Sequence, residues 1–296
     1  MKRLRLFLLL AAFGAGLFQL HAATSLWRVS SGETSLYLGG TFHLLRASDF
    51  PLPEAFDAAY ADSTTVVFET DLGAMQSPQV QQRMLAQCAL GGGETLRALL
   101  SPEVYAKLEA HCQKAGLALA AMEGFKPALV VITLAVVELQ KVGIAEEGVD
   151  MHYYNRAQAD GKAVRGLETP QEQIDFICSM GEGDEDAFVL HAIRDLEESV
   201  QHLPELITAW RRGDLETLER EFVSEMKRDF PRLYRSLLVE RNRAWLPKIE
   251  ALLETAETEL VLVGGAHLPG EDGLLAQLQA RGYRVEQFDI AAAPAP

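Results

Sequence analysis

The sequence contains the pattern Gly-x-x-His twice, once near each end of the chain. The first occurrence runs from Gly40 to His43 and the second from Gly264 to His267, and each follows a short apolar run. Imidazole side chains bind divalent metal ions and also serve as general bases. A single Gly-x-x-His is a weak signal, because a lone histidine after a strand usually lies on the surface. The repetition of the motif therefore predicts a shared site.

Acidic residues follow two further strand-like runs. Glu69 and Asp71 come after one run, and Glu168 comes after the other. Two imidazoles with one or two carboxylates suit a divalent ion such as Zn, Mn, Fe or Co. Such an ion activates water, and a nearby carboxylate can act as general base. The expected metal ligands are His43, His267, Glu69 and Glu168. Each glutamate is equally well explained as a helix cap, and Asp71 is better explained as one.

Parallel strands would bring these side chains together. The runs at 36–38, 64–68, 163–167 and 260–263 are short and apolar or β-branched, which is typical of buried strands. Parallel strands end at the same edge of a sheet, and open α/β sheets bind ligands at that edge. The ends of these four runs therefore predict one convergent site.

The order of segments predicts the fold class. A hairpin is expected over 26–38 and a last strand over 283–288, while helical patterns fill most of 74–159 and all of 170–257. This order favours an α/β fold with a mostly parallel core sheet, flanking helices and a large helical middle insertion. Because no linker rich in Pro, Gly or Ser interrupts the chain, we expect residues 23–296 to form a single domain.

The composition is that of an ordinary globular protein. The 296 residues are 48% hydrophobic and 23% charged, and the net charge is −15. This length allows a large buried core. The negative charge argues against nucleic-acid binding through the general surface, so we expect no nucleic-acid partner.

The first residues have the pattern of an export signal. Residues 2–5 are mostly basic, residues 6–20 are mostly apolar, and small residues suitable for cleavage follow. We expect residues 1–22 to be a signal peptide that directs the protein to the periplasm or outside the cell, with no stable membrane span after cleavage. The alternative is an uncleaved anchor, although the apolar run is short for a span and Gln19 interrupts it.

Three cysteines are present, Cys88, Cys112 and Cys178, and their spacing matches no metal-binding motif. Export permits a disulfide. The odd number leaves at least one thiol unpaired, and the sequence does not identify the pair.

Six segments resemble, in order, segments of the TraB/GumN family, which includes the Tiki proteins. They are LWRVSSGETSLYLGGTFHLL, VVFETD, GVDMHYYNRA, VRGLETPQEQ, ERNRAW and VLVGGAHLPGEDGLLAQLQARGYRVE. The resemblance implies a core α/β sheet related to the erythromycin esterase and ChaN-like group. It also implies a metal-dependent protease activity that uses ions such as Mn or Co. The first motif reads Gly-Gly-Thr-Phe-His where Leu-Gly-Thr-Ile-His is expected, which keeps the spacing.

The resemblance also implies roles for particular residues. The family's paired motifs correspond to those ending at His43 and His267, and its acid after the second strand falls on Glu69. Its Arg-Asn pair falls on Arg241 and Asn242, and its Leu-Glu-Thr segment contains Glu168. From the residues alone, Arg241 and Asn242 are as well explained as an exposed polar pair on a helix.

The main hypothesis is an exported metal-dependent hydrolase, a peptidase that acts on a peptide or protein with Mn, Co or Zn. The candidate catalytic residues are Glu69, Arg241 and Asn242. One alternative is a non-catalytic protein of the cell envelope that holds a metal, haem or a surface polysaccharide. Another is an esterase or transferase in which a histidine acts as base, so that activity survives chelation.

Overall fold

A six-stranded sheet lies at the centre of the protein in a computed structural model that describes residues 24–144 and 147–290. The strands are β1 (Leu26–Ser31), β2 (Thr34–Thr41), β3 (Thr65–Thr70), β4 (Ala163–Glu168), β5 (Glu259–Gly264) and β6 (Arg284–Gln287). Their order is β4-β3-β5-β2-β1-β6. Strands β2 to β5 pair in parallel, whereas β1 is antiparallel to both β2 and β6. The prediction of a mostly parallel α/β sheet with flanking helices is confirmed.

Helices cover the sheet and fill the middle of the chain. The α-helices are α1 (Glu54–Asp62), α2 (Leu72–Met75), α3 (Pro78–Gln87), α4 (Leu96–Leu99), α5 (Pro102–Ala115), α6 (Pro127–Lys141), α7 (Val149–Asp160), α8 (Pro170–Ser179), α9 (Glu185–Arg212), α10 (Leu215–Leu218), α11 (Glu225–Asp229), α12 (Pro231–Tyr234), α13 (Arg241–Leu252) and α14 (Leu274–Ala280). Short 3₁₀ turns are Ala47–Asp49, Leu119–Met122 and Gly265–His267, and π-helical segments are Glu219–Ser224 and Arg235–Glu240. The signal peptide expected at 1–22 lies outside the described residues, and the single domain expected over 23–296 stays a prediction.

Strand β5 is apolar on both sides because helices cover both faces of the sheet. Leu260 and Leu262 belong to the cluster that contains Trp210 at the end of α9. Val261 and Val263 belong to the opposite cluster, which α13 and α14 complete. All four β5 side chains are fully buried, and burial of such a side chain contributes roughly 1.5–3 kcal/mol. Burial on both faces explains why the sequence of β5 is continuously apolar and does not alternate between apolar and polar residues.

The helical middle of the chain has a core of its own. Leu108 of α5, Leu134 of α6 and Val189 of α9 share a buried cluster that is separate from the clusters on the sheet. Cys88, which caps α3, forms a disulfide with Cys178 of α8, and Cys112 is a buried free thiol. Within 24–144 and 147–290, no helix is long and apolar enough to cross a membrane.

Candidate functional site

Four strand ends meet at one edge of the sheet. His43 follows β2, Glu168 is the last residue of β4, and His267 lies in the 3₁₀ turn after β5. Glu69 lies inside β3, because this strand is longer than the run at 64–68 suggested. The four strands are parallel neighbours, so their carboxyl ends share one edge, as the sequence predicted.

A buried carboxylate fixes the ring of His43. Nδ1 of His43 lies 2.9 Å from Oδ2 of Asp150, and Oδ1 of Asp150 accepts a hydrogen bond from Thr41 at 2.8 Å. A carboxylate only accepts hydrogen bonds, so Nδ1 donates to Asp150 and Nε2 is the nitrogen left to meet a ligand. The attraction of Asp150 raises the pKa of His43 to about 9, so the free imidazole is cationic at pH 7 and would release its Nε2 proton on binding an ion. The His43 side chain is 64% exposed, so solvent and ligands can reach it.

An amide fixes the ring of His267. Asn242 donates from Nδ2 to the carbonyl oxygens of His267 and Asp272, so its Oδ1 is the acceptor for Nδ1 of His267 at 2.7 Å. The lone pair of Nε2 faces Nη1 of Arg241 at 3.3 Å. Burial lowers the pKa of His267 to about 3, because it penalises the charged form. The imidazole is therefore neutral at pH 7.

Glu69 is an ionised carboxylate between these groups. Its Oε1 accepts a hydrogen bond from the backbone N–H of Gly264 at 2.7 Å, and its Oε2 accepts one from Arg241 at 2.6 Å. Burial alone would raise the pKa of Glu69, but the attraction of Arg241 above all, with that of His43 and the hydrogen bond from Gly264, outweighs burial and lowers the pKa to about 2. Glu69 therefore keeps its charge at neutral pH.

Arg241 connects the glutamates of two strands. It donates from Nε and Nη2 to the two carboxylate oxygens of Glu168, at 2.8 and 3.1 Å. The guanidinium lies between the rings of Phe176 and Trp245, 4.6 and 4.5 Å from their centroids. Glu168 is thus engaged with Arg241 and is not among the residues that line the cavity at this edge. The helix that follows is capped by Thr169 instead of Glu168.

The alternative that Arg241 and Asn242 form an exposed pair is wrong, because their exposed fractions are 8% and 2%. Both side chains reach into the site from the start of α13. The interpretation of Asp71 as a helix cap is confirmed, because its side chain accepts a hydrogen bond from the backbone N–H of Ala74.

The donor atoms suit a divalent ion. A Cβ placed on Gly264 would lie 3.2 Å from Oε1 of Glu69, 3.5 Å from Nε2 of His43 and 3.7 Å from Cδ2 of His267, so three candidate ligands surround one small space. Two imidazoles and a carboxylate are a donor set for Zn, Mn or Co, and hydrogen bonds to each Nδ1 are the usual support for such ligands.

The candidate ligands do not have the spacing of a preformed metal site. Oε1 of Glu69 and Nε2 of His267 are 3.9 Å apart. In the described part of the chain, no group of three or more His, Cys, Asp or Glu side chains has the spacing of a preformed metal site. Metal binding by His267 requires Nη1 of Arg241 to leave its Nε2, since that nitrogen has one lone pair.

These groups open into a cavity of about 260 Å³. Its polar lining includes His43, Glu69, Arg241 and His267. Much of the remaining lining is apolar, and we call this part the apolar wall: Phe42, Phe222, Leu237, Leu238 and Ala266. The cavity thus combines a polar, hydrogen-bonded centre with an apolar surface, which is typical of small-molecule and substrate sites.

Asp150 is the site residue that sequence reasoning missed. The nearby His152 on the same helix is not part of the pair of His43 and Asp150, because its Nδ1 lies 3.9 Å from Glu147. The available signal was an acidic residue at the start of a helix, where Asp150 is 6% exposed between the apolar neighbours Val149 and Met151. That position favours a helix-dipole interpretation, so the signal was ambiguous.

Sequence comparison assigns the chain to a family. The model of the TraB/PrgY/gumN family matches residues 25–287, which cover nearly all of the chain. No curated protein and no solved structure gives a significant match. Both histidines, Glu69, Glu168, Arg241 and Asn242 fall inside the matched range. The resemblance inferred from the motifs is thereby confirmed, and the chain belongs to the TraB/PrgY/gumN family.

Proposed function

We propose that this protein is an exported metal-dependent hydrolase that cleaves peptide bonds. One observation carries the proposal: His43 and His267, from opposite ends of the chain, face one cavity together with ionised Glu69. Each imidazole has its Nδ1 held by a polar partner. This leaves each Nε2 as the atom that would meet a ligand, which is the arrangement of metal-binding histidines.

The proposed roles of the site residues are as follows. His43, His267 and Glu69 would hold the ion. A divalent ion bound there would polarise a scissile carbonyl and lower the pKa of water. Oε2 of Glu69 accepts from Arg241 and Oε1 accepts from the backbone N–H of Gly264, so the second lone pair of Oε1, which borders the space between the histidines, would bind the ion or take a proton.

The remaining candidate residues act through their neighbours. Arg241 keeps Glu69 ionised and oriented, and Glu168 holds Arg241 through two hydrogen bonds. Asn242 fixes the tautomer of His267. In this proposal Glu168 is a positioning residue, because its carboxylate is engaged with Arg241 and Trp245.

Export to the periplasm or the cell exterior is part of the proposal. The basic and apolar segment at 1–22 supports it. The disulfide between Cys88 and Cys178 supports it independently, because structural disulfides persist in oxidising compartments.

A metal-free hydrolase is the second candidate. The hydrogen-bonded pair of Asp150 and His43 is the arrangement of an oriented general base. Arg241 covers Nε2 of His267, which fits a site that works without an ion. Activity that survives complete chelation would favour this candidate over the first.

Elemental analysis tests the proposal directly. Protein purified without a His tag or chelators, and reloaded with Mn²⁺, Co²⁺ or Zn²⁺, should bind about one ion per chain. His43→Ala and His267→Ala should each lose the ion and stay folded. His152→Ala is the matched control, because this histidine on α7 does not line the cavity.

Activity is then measured on a panel of peptides, with and without chelator. Peptide cleavage that requires the ion supports the proposal. No ion in the wild type after reloading overturns it. A bound ion without cleavage on a broad panel would instead point to the non-catalytic alternative, a protein that holds metal, haem or polysaccharide.

A further inference from the structure

We propose that the apolar wall is a specificity pocket that receives one apolar side chain of the substrate, next to the bond that is cleaved. This inference rests on the proposed function, since it concerns the same cavity. The wall borders the proposed reaction centre directly, because Phe42 and Ala266 are chain neighbours of His43 and His267. A substrate held at the histidines must therefore lie against these side chains.

In the proposed function His43, His267 and Glu69 would hold the ion, so the polar part of the lining leaves little with which to bind a charged group. The guanidinium of Arg241 is engaged with Glu69, Glu168, Gln173 and His267. A carboxylate or phosphate on the substrate would have to compete with these carboxylates. A charged substrate side chain against the wall would lose its hydration without gaining a partner. The lining therefore selects for an apolar group.

Two π-helical segments supply most of the wall. Phe222 comes from Glu219–Ser224, and Leu237 and Leu238 come from Arg235–Glu240. π-Helical turns are rare in proteins as a whole, and those that do occur are frequently found at functional sites. In the second segment, two consecutive leucines both line the cavity. The unusual backbone is thus located where the chain presents apolar side chains to the site.

The wall is anchored to the core. Phe42 packs edge-on against Trp210 with ring centroids 5.8 Å apart, and against Phe222 at 5.6 Å. Trp210 is fully buried and donates to the carbonyl oxygen of Gly40 at 2.6 Å. Leu238 is 3% exposed within a cluster that includes Ala266. Because these contacts hold the wall in place, it can discriminate substrates by size.

The volume fits a single side chain. An enclosed apolar cavity of about 150 Å³ takes up one benzene molecule. The cavity here is about 260 Å³ and must also admit the scissile group. It has room for one branched aliphatic or aromatic side chain beside the scissile group.

Binding of metal-directed probes tests the inference without using turnover. The probes are straight-chain alkyl hydroxamates, from acetohydroxamate upward, titrated into Co²⁺-loaded protein and followed by visible absorption and calorimetry. Affinity should rise about fourfold for each methylene until the wall is filled, which corresponds to ~0.8 kcal/mol per buried methylene. A probe of the same length that ends in a carboxylate should lose this gain.

Leu237→Gln is the informative variant, because this half-buried leucine lines the cavity. It should reduce the gain in affinity for each methylene well below that of the wild type, because a polar group replaces part of the apolar wall. Leu99→Gln is the control, an exposed leucine outside the cavity lining that should behave like the wild type. The proposal of a specificity pocket is overturned if the wild type binds hydroxamates of all chain lengths with equal affinity. It is also overturned if the two variants show the same dependence of affinity on chain length.

The outcome also separates this inference from the proposed function. If the protein binds no Co²⁺, the proposed metal-dependent function is rejected, and substrate binding by the apolar wall is tested on metal-free protein. The probes are then N-acetyl amino-acid amides, observed by saturation-transfer NMR. Binding of the leucine and phenylalanine amides, with none of the glycine and lysine amides, supports the wall. No such preference overturns it.

Discussion

Arg241 balances two buried carboxylates at once, those of Glu69 and Glu168. Replacement by methionine keeps an apolar stem but removes the cation. We expect Arg241→Met to lower the free energy of unfolding at pH 7 by about 3–5 kcal/mol, the usual cost of breaking a buried ion pair. Urea denaturation measures the change. Arg243→Met is the control on the same helix, because Arg243 is exposed and a surface change costs about 0.5 kcal/mol or less.

The pH dependence of Arg241→Met follows from the pKa of Glu69. In the wild type this pKa is lowered from 4.5 to about 2, so the charge stabilises the fold above pH 4.5, and this contribution is lost as the pH falls toward 2. Without Arg241, burial dominates and raises the pKa of Glu69, so acid should restore stability to the variant. A stability deficit of the same size at pH 7 and pH 4.5 would contradict this assignment.

Asp150 fixes the ring of His43, so it should control metal affinity. We expect Asp150→Asn to weaken divalent-ion binding about 10–100-fold, the usual effect of losing a hydrogen-bond partner behind a metal ligand. Competition with a chromophoric chelator measures the affinity. Asp160→Asn on the same helix is the control, because Asp160 bonds to Tyr60 and lies outside the cavity lining. Similar losses in both variants would argue against a role for Asp150.

The two histidines were predictable at this scale, and the family resemblance indicated Asn242, but Asp150, the partner of His43, was not predicted. His43 and His267 share a repeated local motif, whereas Asp150 is separated from His43 by 107 residues and carries no motif of its own. Arg241 was ambiguous, because a polar residue on a helix with apolar neighbours fits both a surface and a buried ion pair. Only the packing of α13 on the sheet, which places Arg241 beside Glu69 and Glu168, distinguishes these possibilities.

At the scale of elements, the end of β5 depends on a residue without a side chain. The backbone of Gly264 has φ −51° and ψ 137°, which other residues also adopt, so glycine is not needed there for its conformational freedom. It is needed for space, because a Cβ would lie 3.2 Å from Oε1 of Glu69 and 3.5 Å from Nε2 of His43.

Gly264→Ala should therefore affect the site more than the fold. We expect the variant to fold with the wild-type circular dichroism spectrum but to lose divalent-ion binding, measured by calorimetry. Gly91→Ala is the control, since a Cβ there would meet nothing within 4 Å. Undiminished metal binding by Gly264→Ala would show that the ion, if bound, does not lie between these ligands.

Elements were easier to predict than their pairing. The apolar runs that became β2, β3 and β5 are visible because each of these strands buries most of its own residues, whereas the edge strand β4 buries only Leu167. The strand order brings together segments that are far apart in the sequence, and no short stretch of sequence indicates which strands will be neighbours. The two π-helical segments were also hidden, because their apolar pattern fits an α-helix closely enough to predict helix throughout 170–257.

At the scale of the whole molecule, one covalent link constrains the helical middle. The disulfide of Cys88 and Cys178 closes a segment with a sequence separation of 90. We expect Cys88→Ser/Cys178→Ser to lower the free energy of unfolding by up to about 4–5 kcal/mol, the entropic effect of closing a loop of this length. Thermal denaturation measures the change.

Cys112→Ser is the matched control for this variant, because it removes the buried free thiol and keeps the disulfide. Reductant should shift the melting temperature of the wild type and of Cys112→Ser but not that of the double variant. An equal shift in all three proteins would contradict a structural role for this disulfide.

The sheet joins the two ends of the chain, because β2 pairs directly with β5 and these strands carry His43 and His267 to the site. A chain synthesised from its N-terminus presents His43 early and His267 only when it is nearly complete. A truncated or unfinished chain lacks His267 and lacks β5, the parallel neighbour of β2, so it cannot assemble the proposed metal site. If the chain crosses a membrane unfolded, the ion that it acquires is therefore decided by the compartment in which translocation ends, not by the one in which translation begins.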